Sequence, residues 1–490
     1  MPVRRHAPAI TGGHMVFNFT FPSPLTFVIT MGWIGLFMFI GVIVRAKVPL
    51  FRKYLIPTCI IGGVLGMFAN WIFLSKLGPL GVDHSMIGAV TYHIFPLFFS
   101  ALAFRSSESK TAGRRFLAGG LWLAACFIGI PFFLYAVACL LTMGVNTVCG
   151  TEYLTSFGII PTNGFINGPG TAMPIGLAWD NHLKNGLDLA SLGLTGGSLG
   201  FLVAYIIGIP MANYYHKRSK LLGNGGVSMA LAEQRGFYDD DDDYIHIGRE
   251  TTHNSNIETL AIHIGLIFFN YALALAICLG IAQAVSYTPY KNYIGMIWTL
   301  VWMAPLITAW PIKKIMKISG FESIVCPDIM RHISNFFIDL MAITAFFGMT
   351  LKALLYFLPL LCAIIVFIPL VLYACTQIIV RYVNDYKDVR TLYLMGTLTG
   401  TAATGLFLCR IIDPESRSPI AFEQAIAPVF MTIPLTIATT IMHFEVLGGH
   451  SPWSVIGWSL VVAGLCGISL IFFIRALNRV YRDDPDTMAG

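Results

Sequence analysis

The strongest constraint on this chain is the recurrence of apolar stretches about 20 residues long, the length an α-helix needs to cross the hydrocarbon of a bilayer. Such windows fall near 24–44, 54–74, 86–104, 115–143, 187–213, 257–285, 293–312, 333–351, 353–380, 421–444 and 453–474. Composition agrees: 56% of the residues are hydrophobic and 11% charged, with a mean hydropathy of +0.72, against about 25% charged in soluble domains. The sequence therefore predicts an all-α polytopic membrane protein with about 11 transmembrane helices. The polar stretch 1–23 reads as a disordered tail rather than a cleavable signal, because the apolar run after it is long enough to span. Most of the 10 cysteines, such as Cys59, Cys126, Cys139, Cys278, Cys362 and Cys466, fall inside apolar runs. There they act as small hydrophobes, and no disulfide framework or metal-ligand spacing is expected.

Two apolar stretches remain, 156–179 and 389–412. Neither suits an ordinary helix. The first contains Pro161, Gly164, Gly168, Pro169, Gly170, Pro174 and Gly176; the second contains "GTLTGTAATG" at 396–405. The positive-inside rule decides how they run. If both return to the side they left, alternate loops hold Arg45, Lys47, Arg52 and Lys53; Arg105, Lys110, Arg114 and Arg115; Lys217, Arg218 and Lys220; Lys313, Lys314 and Lys317; Arg381, Lys387 and Arg390; and Arg475, Arg479 and Arg482. The opposite loops hold only Lys76, Lys184, Lys291 and Lys352. A full crossing at either stretch would scramble this asymmetry. Both are thus expected to be re-entrant hairpins, in a plasma (inner) membrane protein with its amino terminus outside and its carboxyl terminus cytoplasmic.

The order of elements also repeats. Four spans, a hairpin rich in Gly and Thr and one more span occupy 24–218, and the same order recurs in 257–444. Five crossings per unit is an odd number, so the units must be inverted. Residues 219–256 link them, and 453–474 is an additional span. Unpaired backbone groups in hydrocarbon cost several kcal/mol each, so helix breaks at membrane depth persist only where protein or a water-lined cavity surrounds them. Two breaks entering from opposite faces should meet near the midplane. There, half-helix amino ends attract anions, while carbonyls and hydroxyls can replace the water around a small cation. This is the design of a secondary transporter.

Several motifs resemble the glutamate:sodium symporter family. "KYLIPTCIIGG" at 53–63 is similar to the Lys-Tyr-x-Ile-Pro and Gly-Gly of that family's second span, and "NGPGTA" at 167–172 to its Gly-Gly-His-Gly-Thr-Gly run. "GTLTGTAATG" and "RIIDPE" from Arg410 resemble the Gly-rich second hairpin of distant members. The resemblance spans about 53–444 and implies an inverted-repeat, two-domain fold in a homodimer. It further implies an elevator-like transport domain and sodium-driven uptake of an acidic amino acid. Pro169 stands where the family motif has His, and Asn167 where it has Gly; both leave the substrate open.

Candidate substrate-binding positions are Asn163, Asn167, Gly168, Gly170 and Thr171 in the first hairpin, and Thr397, Gly400, Thr404 and Arg410 in the second. Thr399, Thr401 and Asp339 are candidate sodium ligands, and each Thr could instead bond back to its own helix. Arg410 has two readings. Its planar fork suits a substrate carboxylate, at an insertion cost of about 3 kcal/mol; alternatively it lies at the cytoplasmic mouth, pairing Asp413 or Glu415 or snorkelling to water. Asp339, in "NFFIDLMAIT", either binds a cation or relays a proton, or pairs with Arg331 or His332. His93 and His263 read as hydrogen-bonded packing residues. The run "DDDDD" at 239–243 reads as a solvated linker without the spaced ligands of a calcium loop. The expected partners are a small carboxylate, sodium, the bilayer and a second copy, with no nucleic acid, no cofactor other than the coupling ion and no catalytic residue. Two rivals stand beside this reading. A cation/proton antiporter would call for more intramembrane acids than Asp339. An intramembrane serine protease would use Ser198 of "GGSLG" with His263 as base.

Overall fold

The computed structural model describes residues 24–105, 114–184, 186–218, 248–253, 255–291, 294–413 and 418–483. The expected tail at 1–23 and the acidic run at 239–243 lie outside the described residues, within which every regular element is helical. The first part of the chain forms α1 (Pro24–Lys47), α2 (Pro49–Lys53), α3 (Thr58–Ile72), α4 (His84–Arg105), α5 (Arg114–Cys149), α6 (Ile159–Asn167), α7 (Pro169–Leu183) and α8 (Leu189–Arg218). The second forms α9 (Thr259–Ser286), α10 (Ile294–Thr299), α11 (Ala304–Ile318), α12 (Pro327–Phe347), α13 (Leu351–Tyr356) and α14 (Leu358–Arg381). It continues with α15 (Lys387–Thr397), α16 (Ala402–Ile412), α17 (Ile420–Leu447) and α18 (Pro452–Asp483).

Among the described residues, 8 helices are long and apolar enough to cross a membrane: α1, α4, α5, α8, α9, α14, α17 and α18. Three of the expected windows take other forms. Helix α3 has 15 residues, about 22 Å at 1.5 Å per residue. Helix α12 has 21 residues but includes Asp328, Arg331 and Asp339. The window at 293–312, expected as one span, is broken: α10 ends at Thr299, a 3₁₀ turn covers Val301–Met303 and α11 restarts with Pro305 in its first turn. Proline suits that position because its missing N–H would have had no intrahelical partner there.

Both stretches expected as hairpins are helix, break, helix. Gly168 separates α6 from α7 with φ 86° and ψ 166°, a region that a side chain would make costly. Residues 398–401 separate α15 from α16, and Thr401 is extended at φ −146°. Helix α8 is cut to receive the first hairpin. A Cβ on Gly196 would fall 2.2 Å from the Pro161 carbonyl oxygen, and one on Gly197 would fall 2.6 Å from the Pro169 nitrogen. A Cβ on Gly200 would meet the carbonyl oxygens of Phe165 and Thr399, each at 2.7 Å, so both hairpins rest on the same helix. Within a bilayer such close approach is a main source of helix association, because lipid tails are as apolar as the side chains.

The buried apolar residues form two cores. One gathers α5, both hairpins, α14, α17 and α18; the other gathers α1, α3, α4, α9, α11 and α12. Trp302, in the broken segment, packs against both. All 10 cysteines are free thiols.

Candidate functional site

The first break is held by a continuous polar network. Tyr135 of α5 donates its hydroxyl to Asn163 Oδ1 at 2.6 Å. Asn167 Nδ2, one turn further along α6, donates to the same oxygen at 2.8 Å and to the Tyr135 hydroxyl at 3.1 Å. Asn163 Nδ2 donates across the break to Thr171 Oγ1 at 3.1 Å, and the Thr171 hydroxyl donates to the Gly168 carbonyl at 2.9 Å. The spacing of Asn163 and Asn167 puts both amides on one face of α6. The network therefore ties the two arms together where the main chain cannot.

The two breaks meet. A Cβ on Gly168 would lie 3.6 Å from Thr401 Cγ2 and 3.7 Å from the Gly400 carbonyl oxygen. Helices α7 and α16 both start at these tips, so their amino ends converge while α6 and α15 bring their carbonyl ends. Beside the tips lies a cavity of about 130 Å³. From the hairpins it is lined by Asn163, Asn167, Thr171, Thr397, Gly400 and Thr401, and from neighbouring helices by Tyr135 and Gln424. Helix α4 and the broken segment add Phe95, Phe98, Phe99, Thr299, Leu300 and Trp302 to the lining.

The structure brings together most of the sequence candidates, with exceptions. Gly168 and Gly170 lie at the first tip; a Cβ on Gly170 would strike the Phe95 ring at 2.3 Å. Thr401 and Thr404 share a hydroxyl contact of 3.3 Å, and Thr404 is hydrogen-bonded with Tyr205 of α8. Thr399 donates its hydroxyl to the Met395 carbonyl of its own helix at 2.7 Å and is buried. Asp339 is not part of the cavity lining. Ile338 and Met341 of α12 face the cavity, and the Asp339 carboxylate accepts the Cys59 thiol of α3, in electrostatic reach of Tyr205. Its expected partner Arg331 pairs instead with Asp328, at 3.3 Å.

Arg410 is also elsewhere. It is exposed in the last turn of α16, about 12 Å along the helix from the break. Its charge acts on Arg105 beside Arg331, at the far end of the hairpin. The fork expected to grip a carboxylate is thus displaced from the cavity because the helix between them is unbroken. The Asp413 carboxylate accepts the Ser418 N–H at 2.8 Å, and Glu415 lies outside the described residues.

A residue counted among the loop charges proves central. Arg390 has 0% side-chain exposure in α15 and makes a two-pronged ion pair with Glu423 of α17, also 0% exposed, at 2.7 and 2.8 Å. Its guanidinium carbon stands 4.9 Å from the centre of the Trp122 ring. Next to this pair, Tyr393 donates its hydroxyl to Gln424 Oε1, which fixes a cavity-lining amide. Tyr135, Gln424 and the broken segment carried no local signal beyond Pro305.

Both histidines are structural. His93 Nδ1 bonds the Tyr271 hydroxyl at 2.7 Å. His263 has one ring nitrogen on the Thr259 carbonyl at 2.7 Å, and its Nε2 accepts the Cys326 N–H at 2.8 Å. Both nitrogens being engaged, His263 cannot serve Ser198 as a base. Ser198 itself is fully buried in the glycine face of α8. Past the first hairpin, burial raises the Asp180 carboxyl to about 6, against the Ala190 N–H that it accepts at 3.2 Å. Among the described residues no group of three or more His, Cys, Asp or Glu side chains could hold a metal ion. No protein-family model matches the chain, and no curated protein matches it.

Proposed function

We propose that this chain is a secondary active transporter that couples sodium entry to uptake of a small carboxylate through an elevator-like alternating-access movement. The observation that carries the reading is the meeting of two helix breaks beside one cavity. Broken backbone is tolerated at membrane depth where it lines a cavity, and convergent helix amino ends there favour an anion. The hydroxyls of Thr401 and Thr404, with the carbonyls that end α6 and α15, are oxygen donors suited to a hard cation. Asp339 lies outside the cavity lining, near Tyr205.

The packing supports two inverted five-span units with an additional span α18. Helix α4 packs on α12; α3 packs on α12 as α11 packs on α4; and α1 packs on α3 as α9 packs on α11. The two apolar cores that flank the cavity supply the rigid bodies that an elevator needs. We place 11 crossings in a plasma (inner) membrane, the amino terminus outside and the carboxyl terminus cytoplasmic, from the distribution of Lys and Arg. The homodimer and the acidic amino acid come from the resemblance to glutamate:sodium symporters.

The test is uptake into proteoliposomes of labelled amino and organic acids, with and without an inward sodium gradient. Concentrative uptake of a carboxylate should require the gradient. Full uptake driven by a pH gradient in sodium-free buffer would refute the coupling and favour proton exchange. No gradient-driven accumulation of any carboxylate would refute transport.

A further inference from the structure

The cavity lining is mixed. Its amides and hydroxyls, among them Asn163, Asn167, Thr171, Tyr135, Thr401 and Gln424, come mainly from the hairpins, α5 and α17, which also supply apolar residues such as Phe127 and Met431. Helix α4 and the broken segment contribute rings in mutual contact. The Phe99 centroid is 4.9 Å from those of Phe95, Phe98 and Trp302. Among the described residues no Lys, Arg, His, Asp or Glu lines the space. The nearby titratable side chains lie outside the lining: Arg390 pairs with Glu423 beside Trp122, Asp339 is engaged with Cys59, and Arg410 is at the distant end of α16.

This lining discriminates among carboxylates. One carboxylate can be met by the N–H groups in the first turn of α16 and the Gly170 N–H of α7 together with the Thr and Asn side chains, the Thr171 N–H already donating to the Gly168 carbonyl at 3.3 Å. A second carboxylate would be buried without a counter-ion or further helix end, which is strongly disfavoured. An ammonium group would find no acidic side chain in the lining. Pro169, first residue of α7, offers a ring instead of a donor at the tip. The uncharged remainder of a substrate would instead lie against the Phe95, Phe98, Phe99 and Trp302 rings, which reward apolar and aromatic surface.

We infer that the cavity takes a monocarboxylate with an uncharged, aromatic-sized apolar body, of the arylacetate kind, in preference to a dicarboxylate or an acidic amino acid. The inference rests on the carboxylate-transport reading above and narrows its substrate. The charge of the ligand is read by the hairpins and its body by α4 and the broken segment.

The test uses purified full-length protein and a fixed panel of phenylacetate, phenylacetamide, acetate, glutamate and malate. Ligand-induced thermal stabilisation is measured first, followed by uptake of labelled phenylacetate and glutamate into proteoliposomes. Phenylacetate should bind at least about tenfold more tightly than acetate, with no stabilisation by phenylacetamide, glutamate or malate. Trp302→Leu should cut the preference for phenylacetate over acetate to about threefold or less while acetate still binds; Phe99→Leu gives the same comparison should the first variant unfold. Tighter binding of glutamate or malate, equal binding of phenylacetamide, or no response to any of the five would overturn the assignment. Sodium-driven uptake of glutamate in place of phenylacetate would overturn the substrate class and leave transport standing. Binding of phenylacetate without uptake would leave the class standing and overturn transport.

Discussion

Replacing Glu423 with Gln should destabilise the protein more than any change to a cavity-lining Thr. In the folded state Arg390 and Glu423 are both fully buried and joined by two hydrogen bonds of 2.7 and 2.8 Å. Glu423→Gln leaves a buried guanidinium with one neutral acceptor where it had a carboxylate. Removing one partner of a buried pair costs about 3–5 kcal/mol. Because Gln keeps one oxygen in reach of Arg390, the lower end applies, about 3 kcal/mol, or roughly a hundredfold in the folded-to-unfolded ratio. The double replacement Arg390→Met with Glu423→Leu should recover most of that loss, since two apolar side chains leave no uncompensated charge. Gly119→Ala attacks the same pair sterically: a Cβ there would fall 2.0 Å from Glu423 Cδ. The assay is equilibrium unfolding in mixed micelles, followed by tryptophan fluorescence, for the single variants, the double variant and the parent. A Glu423→Gln protein within about 0.5 kcal/mol of the parent would refute the reasoning, as would a double variant no better than the worse single one.

Four further outcomes follow from other parts of the structure. Gly197→Ala places a Cβ 2.6 Å from the Pro169 nitrogen, which is backbone and cannot turn aside; a loss of about 1–3 kcal/mol is expected, and an unchanged unfolding midpoint would show that α8 does not seat the hairpin this way. Thr399→Val should leave the sodium concentration for half-maximal uptake unchanged, because that side chain is buried away from the cavity lining, whereas Thr401→Val should raise it; the reverse order would reassign the two. Arg410→Lys should show normal ligand-induced stabilisation, as an exposed cation remote from the cavity needs no fork, and a lost response would return Arg410 to the site. Burial raises the Asp180 carboxyl from 3.8 to about 6, so the folded state holds a proton that the unfolded chain releases. Its contribution to stability is full below 3.8 and fades as pH rises through about 6. Asp180→Asn should flatten that part of the profile, and identical profiles in unfolding scans from about pH 5 to pH 7.5 would exclude the assignment.

What the sequence discloses here depends on whether a residue's meaning is local. Both helix breaks were legible because Gly168, Pro169 and the 396–405 run forbid a continuous helix by their own backbone chemistry. Asn163 and Asn167 were legible as a pair because four residues of helix put them on one face. The break at 300–303 was not, since Pro305 is equally compatible with a first helical turn and with a kink inside one span. The two arginines of the second hairpin show the limit most directly. Arg410 stands in apolar company, "GLFLCRII", and so reads as embedded, while Arg390 follows Lys387 and Asp388 and so reads as a solvated loop charge. The structure buries Arg390 and leaves Arg410 exposed, because burial is set by what packs on the helix face and not by chain neighbours. Arg390 and Tyr393 are 3 positions apart on α15, which turns them to the side where α17 presents Glu423 and Gln424. That partner lies 33 residues away, beyond the reach of any helical period. Only the closed packing of α5, α15 and α17 makes an ion pair of Arg390, which reads as a loop charge, and Glu423, which falls inside the apolar window at 421–444.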